Sequence, residues 1–462
     1  MLGTQPRSAV AHESPERTGL LERMVRARKA SDDLFRIVRP DSLYERPIAE
    51  RHRMVFYIGH LEAFDWNLLR GALRNPPVFH PEFDRLFAFG IDPVGGGLPT
   101  DQPADWPSIG DVREYVRRLR ATLDQALNRL DLSHADLEAD ASRSGFPLNG
   151  FSLATLLQVA IEHRLMHVET LAYMLHQLPF DQKVRDSSEP SDLSPRDDSP
   201  VANDLAEIPA GEITLGLARG SGEFGWDNEF EEHRVAVPEF RIQRYKVTNA
   251  QYLEFLEAGG YDAREFWTDA DWNWKNQGQI SHPAFWKQSG NGWLLRSMFE
   301  EIPLPANWPA YVSHAEASAY AKWMGKLLPT EGQWQRAAFG AADGRERQYP
   351  WGNEAPSGRF GNFDLRRWDP EPVDASPDGA SAFGVRDLLG NGWEWTSTKF
   401  APFAGFQTFP FYRGYSADFF DGKHFVLKGG SMRTASCMLR PSFRNWFQTH
   451  YQYVYAGFRC VD

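Results

Sequence analysis

A chain of 462 residues that is 42% hydrophobic has material for two cores and suggests two domains. A formal net charge of −12 with no offsetting basic stripe argues against nucleic-acid binding, and only two cysteines, Cys437 and Cys460, imply no disulfide framework. Met1–Glu16 lacks the apolar core of a secretory signal and Phe151–Ile161 is far too short to span a bilayer, so the expectation is a soluble, reduced, cytoplasmic protein without a membrane partner.

The first part of the chain reads as helical. Residues 1–15 are a polar, flexible terminus, and Leu20–Val38 and Arg51–Leu73 have helix-like patterning. Pro76–Pro107 is rich in Gly and Pro and is expected to be a long functional loop. Val112–Leu132 carries apolar residues at 112, 115, 116, 119, 123 and 127, a stripe of period near 3.6. Leu153–Leu178 is a fourth such stretch, and four helices of this length suggest an antiparallel bundle over 16–180.

That fourth stretch contains His163-Arg164-Leu165-Met166-His167-Val168-Glu169. Residues four apart on a helix project from one face, so His163 and His167 offer two nitrogen ligands to one metal ion. A third imidazole, His60, lies in the second helical stretch beside Glu62. Three histidines on two packed helices would fill one face of a metal and leave the other open to substrates. An incidental pair on an amphipathic helix is the plainer alternative.

Residues 181–205 are charged, Ser/Pro-rich and read as a linker. Beyond them, short apolar runs at 212–216, 234–237 and 426–430 alternate with Gly, Asn, Asp and Pro clusters, and 249–257 and 313–324 look helical. Much of the aromatic content, which includes 16 Trp and 32 Phe, lies here. The expectation is an irregular α+β domain held by aromatic packing.

Six motifs occur in order: Tyr245-Lys246-Val247-Thr248-Asn249, Leu328-Pro329-Thr330-Glu331-Gly332-Gln333-Trp334, Tyr349-Pro350-Trp351-Gly352, Gly390-Asn391-Gly392-Trp393-Glu394-Trp395, Lys428-Gly429-Gly430-Ser431 and Ala456-Gly457-Phe458-Arg459. This series resembles the formylglycine-generating-enzyme/sulfatase-modifying-factor fold, a C-type-lectin-like domain, over 206–462. Formylglycine generation needs two nearby cysteines, whereas Cys437 and Cys460 are far apart in sequence. With the histidine-bearing bundle, which resembles a DinB-like domain, the whole chain resembles the ergothioneine sulfoxide synthase and selenoneine synthase family. The fold class implied is α plus α+β, a four-helix bundle followed by the lectin-like domain.

The resemblance implies Fe(II) on His60, His163 and His167, with dioxygen and a sulfur or selenium donor at the open positions. It places Glu169 behind a ligand histidine; an ion pair with Arg164 or another bundle arginine is the alternative. It maps a tyrosine that gives a proton or hydrogen during oxygen chemistry onto Tyr412, with Tyr415 beside it. Arg440-Pro441-Ser442-Phe443-Arg444-Asn445-Trp446 matches the family's site for hercynine, the trimethylated betaine of histidine. Asn445 would bind its carboxylate and Trp446 would shape the pocket, aromatic faces suiting a quaternary ammonium.

Family members that use γ-glutamylcysteine carry an acid and an arginine where this chain has Phe447 and Tyr451. Neither ring can pair with an ammonium or carboxylate, which favours a selenosugar donor, with a cysteine-using enzyme as close competitor. Arg85 is a further candidate for reaching the donor, or else a solvated surface residue. Asn391 and Glu394 are candidates for a structural calcium site by analogy with related lectin-like domains. Two readings of other classes stay open, a non-catalytic lectin-like binding module and a zinc thiol transferase; the identity of the metal and oxygen uptake separate them.

Overall fold

The computed structural model describes residues 15–72, 80–88, 98–128, 151–185, 200–290 and 292–462. The chain divides into two compact units, Met1–His167 and Val168–Asp462. The division falls inside a single helix, Leu153–Gln177 (α5). The reading of 1–15 as a flexible terminus lies, but for Pro15, outside the described residues.

The first unit contains α1 (Pro15–Arg36), α2 (Met54–Leu69), α3 (Pro81–Leu86), α4 (Ile109–Leu127) and the first part of α5. α4 is amphipathic as its pattern predicts: Val112, Tyr115, Leu119, Leu123 and Leu127 are buried. Its start is set by Ser108, whose hydroxyl accepts the Asp111 amide. α2 is apolar on nearly every side and is buried accordingly. Charges within the bundle are paired: buried Arg164 donates to Asp65 (2.5 Å), and Arg120 donates to Glu62 and to Asp32 (2.7 Å each). The expected loop at 76–107 holds a short helix, α3, because Pro81 fits a first helical position and the His80 side chain caps the Phe83 amide.

In the second unit, strands β1 (Leu205–Ile208) and β4 (Phe240–Gln243) pair antiparallel, as do β2 (Gly211–Leu215) and β3 (His233–Val237). β5 (Trp286–Ser289), β6 (Gly292–Arg296) and β7 (Glu301–Pro303) form a meander. The fourth sheet has the order β10 (Asn445–Gln448), β9 (His424–Lys428), β8 (Trp393–Lys399), β11 (Ala456–Gly457), with β11 parallel to β8. A core built on Trp334, Ile213, Ile242, Phe363 and Leu388 lies among these elements.

Four helices accompany the strands: α6 (Asn249–Glu257), α7 (Asp269–Gln277), α8 (His314–Trp323) and α9 (Glu331–Phe339). Each begins at a Ser or Thr that accepts the amide three residues on, from Thr248, Thr268, Ser313 and Thr330. α7 and α9 were not expected from periodicity, since α7 is Trp- and Asp-rich and has no apolar stripe. The cap signal Thr-x-x-Gln at 330–333 was nevertheless present for α9.

Two expectations are corrected here. Residues 181–185 are not a free linker: Lys183 is buried and donates to the Met298 carbonyl (2.5 Å), and Arg185 pairs with Glu300 (2.8 Å). Residues 186–199 lie outside the described residues. No calcium site exists at Asn391 and Glu394. Both Glu394 oxygens accept from Arg459 (2.6 and 2.8 Å) and Lys246 stands 3.5 Å away, so two cations already neutralise that carboxylate. The Asn391 side chain is used up by the backbone of Glu371 and the carboxylate of Asp387. Among the described residues, no helix is long and apolar enough to cross a membrane.

Candidate metal centre and aromatic site

His60 projects from α2, and His163 and His167 from successive turns of α5; all three are buried. One nitrogen from each lies within 4.8 Å of the others, the only such cluster of His, Cys, Asp or Glu among the described residues. The Nε2 atoms of His163 and His167 are 3.1 Å apart. Stacked rings fix the imidazoles: Phe56 on His60 (4.8 Å) and Phe64 on His163 (3.4 Å).

The His60 Nδ1–H donates to the Phe87 carbonyl at 2.7 Å, which leaves Nε2 as a bare lone pair. That Nε2 is buried with no hydrogen-bond partner. Burial also removes the charged form: His60 is pushed down to about 4, and His163 and His167 fall well below their ordinary value. Neutral imidazole is the ligating form. Two rings at 3.1 Å could share one proton, and a cation held between the three rings would satisfy the third, orphaned nitrogen as well. The donor set fits a metal of the Fe, Zn, Cu or Ni type with open coordination positions.

Neither glutamate near the histidines belongs to this set. Glu62 is held by Arg120 and Arg164, which bring it down to about 2 despite burial. Glu169, expected behind a ligand histidine or on Arg164, does neither. It accepts from Trp393 Nε1 (2.6 Å), Ser431 Oγ (2.5 Å) and Thr434 Oγ1 (2.8 Å) within the second unit. The group that orients one of the three imidazoles, that of His60, is the Phe87 carbonyl instead. A backbone carbonyl has no signature in sequence; the one hint was Gly59, where a Cβ would stand 2.5 Å from the Phe87 ring.

The residues mapped in the second unit fall into two groups, because side chains alternate along β10. Trp446 lies flat on Phe400 (4.2 Å) and meets Tyr415 edge-on (5.3 Å). Tyr415 in turn stacks on Trp226 (4.1 Å), and Tyr412 packs beside both. Trp226 had not been anticipated. Phe447 belongs to the second group, stacked on Tyr451 at 4.9 Å and 13°, with Tyr173 of α5 edge-on to both. Asn445 precedes Trp446 and accepts its amide proton through Oδ1 (2.9 Å). Upstream of it, Arg440 and Ser442 hold Glu229, and Arg444 holds Glu331, so these three form scaffold. Arg85 is exposed on α3, where it donates to the Pro81 carbonyl (3.2 Å).

Residues 190–462 match the sulfatase-modifying factor enzyme 1-like domain family, and residues 23–171 the DinB superfamily. The chain is 34% identical over 413 residues to hercynine oxygenase of Mycolicibacterium thermoresistibile, covering 87% of this chain and 85% of that protein. The chain belongs to the hercynine oxygenase family. It is also 28% identical to ergothioneine biosynthesis protein 1 of Neurospora crassa, over 91% of this chain and 55% of that protein. The chain is also 32% identical over 240 residues to formylglycine-generating enzyme of Mycobacterium tuberculosis, covering 44% of this chain and 76% of that protein. Membership of the hercynine oxygenase family makes the chain an enzyme of the oxidoreductase type, built as a DinB helical domain followed by a sulfatase-modifying-factor domain.

Proposed function

We propose that this enzyme uses Fe(II) and dioxygen to join a selenium or sulfur donor to hercynine, at the imidazole carbon between the two nitrogens. A selenosugar is the favoured donor, with cysteine or γ-glutamylcysteine as alternatives. The observation that carries the reading is the buried set of three neutral histidines in a chain of this family. Bound there, Fe(II) would supply the one-electron chemistry that ground-state dioxygen needs to react with closed-shell substrates. Taken to four electrons, the balance closes with one oxygen atom on the chalcogen as an oxide. The other leaves as water with the hydrogens of the C–H and the Se–H or S–H bonds.

The protein's part is to bind, orient and exclude water. His60, His163 and His167 hold the metal, and their burial keeps protons from competing with it. Tyr412 supplies a proton or hydrogen from its phenol, a weak acid suited to both. Asn445 takes the hercynine carboxylate, while the rings around Trp446 and Tyr415 lie on the opposite face of β10 and support the strand from behind. Phe447 and Tyr451 present a half-buried stacked pair where a zwitterionic γ-glutamyl donor would need charges, and such rings suit a sugar face.

The test loads purified enzyme anaerobically with Fe(II), then offers hercynine and dioxygen with selenosugar, cysteine or γ-glutamylcysteine in parallel, and identifies products by mass. Preferred coupling of the selenosugar is the expected result. Preference for γ-glutamylcysteine would overturn the donor assignment. Zinc dependence with no oxygen uptake would replace the reading by thiol transfer.

A further inference from the structure

Phe447 and Tyr451 are linked by a tight turn that closes with the Tyr451 amide on the Gln448 carbonyl (3.1 Å). This turn is tied down from outside. The Thr449 carbonyl accepts from the Ala315 amide in α8 (3.1 Å), and the Thr449 hydroxyl meets Nδ1 of His314 (3.1 Å). His450 is gripped hardest: its Nε2–H donates to Asp271 at 2.8 Å, and its ring lies flat on Trp274, 4.6 Å away with an interplanar angle of 4°. Both partners sit on α7, and the Thr268 hydroxyl that caps this helix also donates to Asp271 (2.5 Å), so the grip starts from a fixed point. Tyr451 directly follows the gripped residue. Two half-exposed rings stacked on one another hold a turn only weakly; a hydrogen bond to a carboxylate plus a flat stack hold it better.

We propose that His450 is a positioning residue for donor recognition: clamped by Asp271 and Trp274, it fixes the turn that sets the Tyr451 ring parallel to Phe447. The proposal rests on the reading of Phe447 and Tyr451 as donor-recognising residues. It makes α7, a helix with no mapped site residue, a determinant of which donor is accepted.

The test measures KM for hercynine and for each of selenosugar, cysteine and γ-glutamylcysteine in full-length, iron-loaded enzyme, with amide hydrogen exchange over 448–451. His450→Ala is expected to raise KM for the preferred donor about tenfold and to speed exchange of the Tyr451 amide, while hercynine KM and iron content stay within about twofold. Trp274→Leu, a milder change that removes only the stack, is expected to act the same way by about threefold. His450→Gln, whose amide can still donate to Asp271, is expected to recover most of the loss. An unchanged donor KM in Trp274→Leu and His450→Ala, or an equal rise for both substrates, would overturn the proposal. Phe447→Ala separates the two ideas: if it leaves donor KM unchanged, the donor reading itself falls. If Phe447→Ala raises donor KM and the clamp variants do not, only the clamp falls.

Discussion

Gly59 and Phe87 are fitted to one another: the Phe87 ring fills the space a β-carbon at position 59 would take, with contacts starting at 2.5 Å. That fit brings the Phe87 carbonyl to the Nδ1–H of His60, the residue next to Gly59. The glycine is therefore part of how the His60 ring is aimed. Gly59→Ala is expected to push Phe87 away, free the His60 ring and weaken metal binding about 10- to 100-fold, as loss of a ligand's supporting hydrogen bond does. Metal titration against a competing chelator checks this; unaltered affinity would detach Phe87 from the site.

Tyr412 packs against Trp226 and Tyr415. Tyr412→Phe keeps the ring and removes the hydroxyl. Affinity for both substrates is expected to stay within about twofold, while turnover falls about 100-fold or the product changes, the range of a lost proton donor. Product analysis under single turnover decides; the same products at the same rate would remove Tyr412 from the chemistry.

The Glu394–Arg459 pair is fully buried, with Lys246 beside it. Glu394→Gln leaves two buried cations short of their counter-charge and is expected to cost about 3–5 kcal/mol of stability. Calcium chelation of the wild type is expected to leave its melting temperature unchanged, because this carboxylate is already neutralised by protein. A melting point that falls with chelator and recovers with calcium would contradict the assignment.

His176 gives a pH dependence with a definite sign. Its Nε2–H donates to the Arg296 carbonyl (2.7 Å), its Nδ1 accepts from the Tyr455 hydroxyl (3.2 Å), and burial pushes it down to about 3. Below the ordinary value of 6.5 the unfolded chain takes a proton that the folded chain refuses, so stability is present at neutral pH and lost as pH falls towards about 3. The stability advantage of wild type over His176→Gln is expected to shrink by about 2 kcal/mol between pH 7.5 and pH 5. Denaturant unfolding at the two pH values measures it, and a constant difference would refute it.

Much of the candidate metal centre was legible because helical period is a local property. His163 and His167 share a face by spacing alone, and His60 stands in a stretch whose pattern already marks a helix. What holds the side chains around them was not legible. Phe87 contributes a carbonyl, which every residue has, and Glu169 finds partners more than 200 residues away at Trp393, Ser431 and Thr434. Alternation along β10 separates Trp446 from Phe447, but a four-residue strand of Asn-Trp-Phe-Gln carries no apolar–polar alternation that would mark it. The motif match drew Asn445 and Trp446 towards one pocket, whereas strand geometry turns successive side chains to opposite faces. The calcium expectation failed for a related reason: a carboxylate in sequence does not announce which cation has already claimed it.

Anomalous diffraction at the iron edge, from crystals grown and loaded with Fe(II) without oxygen, tests the central claim most directly. One strong peak within bonding distance of Nε2 of His60, His163 and His167, and lost in His163→Ala, is the result expected. Iron bound elsewhere, or full occupancy retained in that variant, would contradict it.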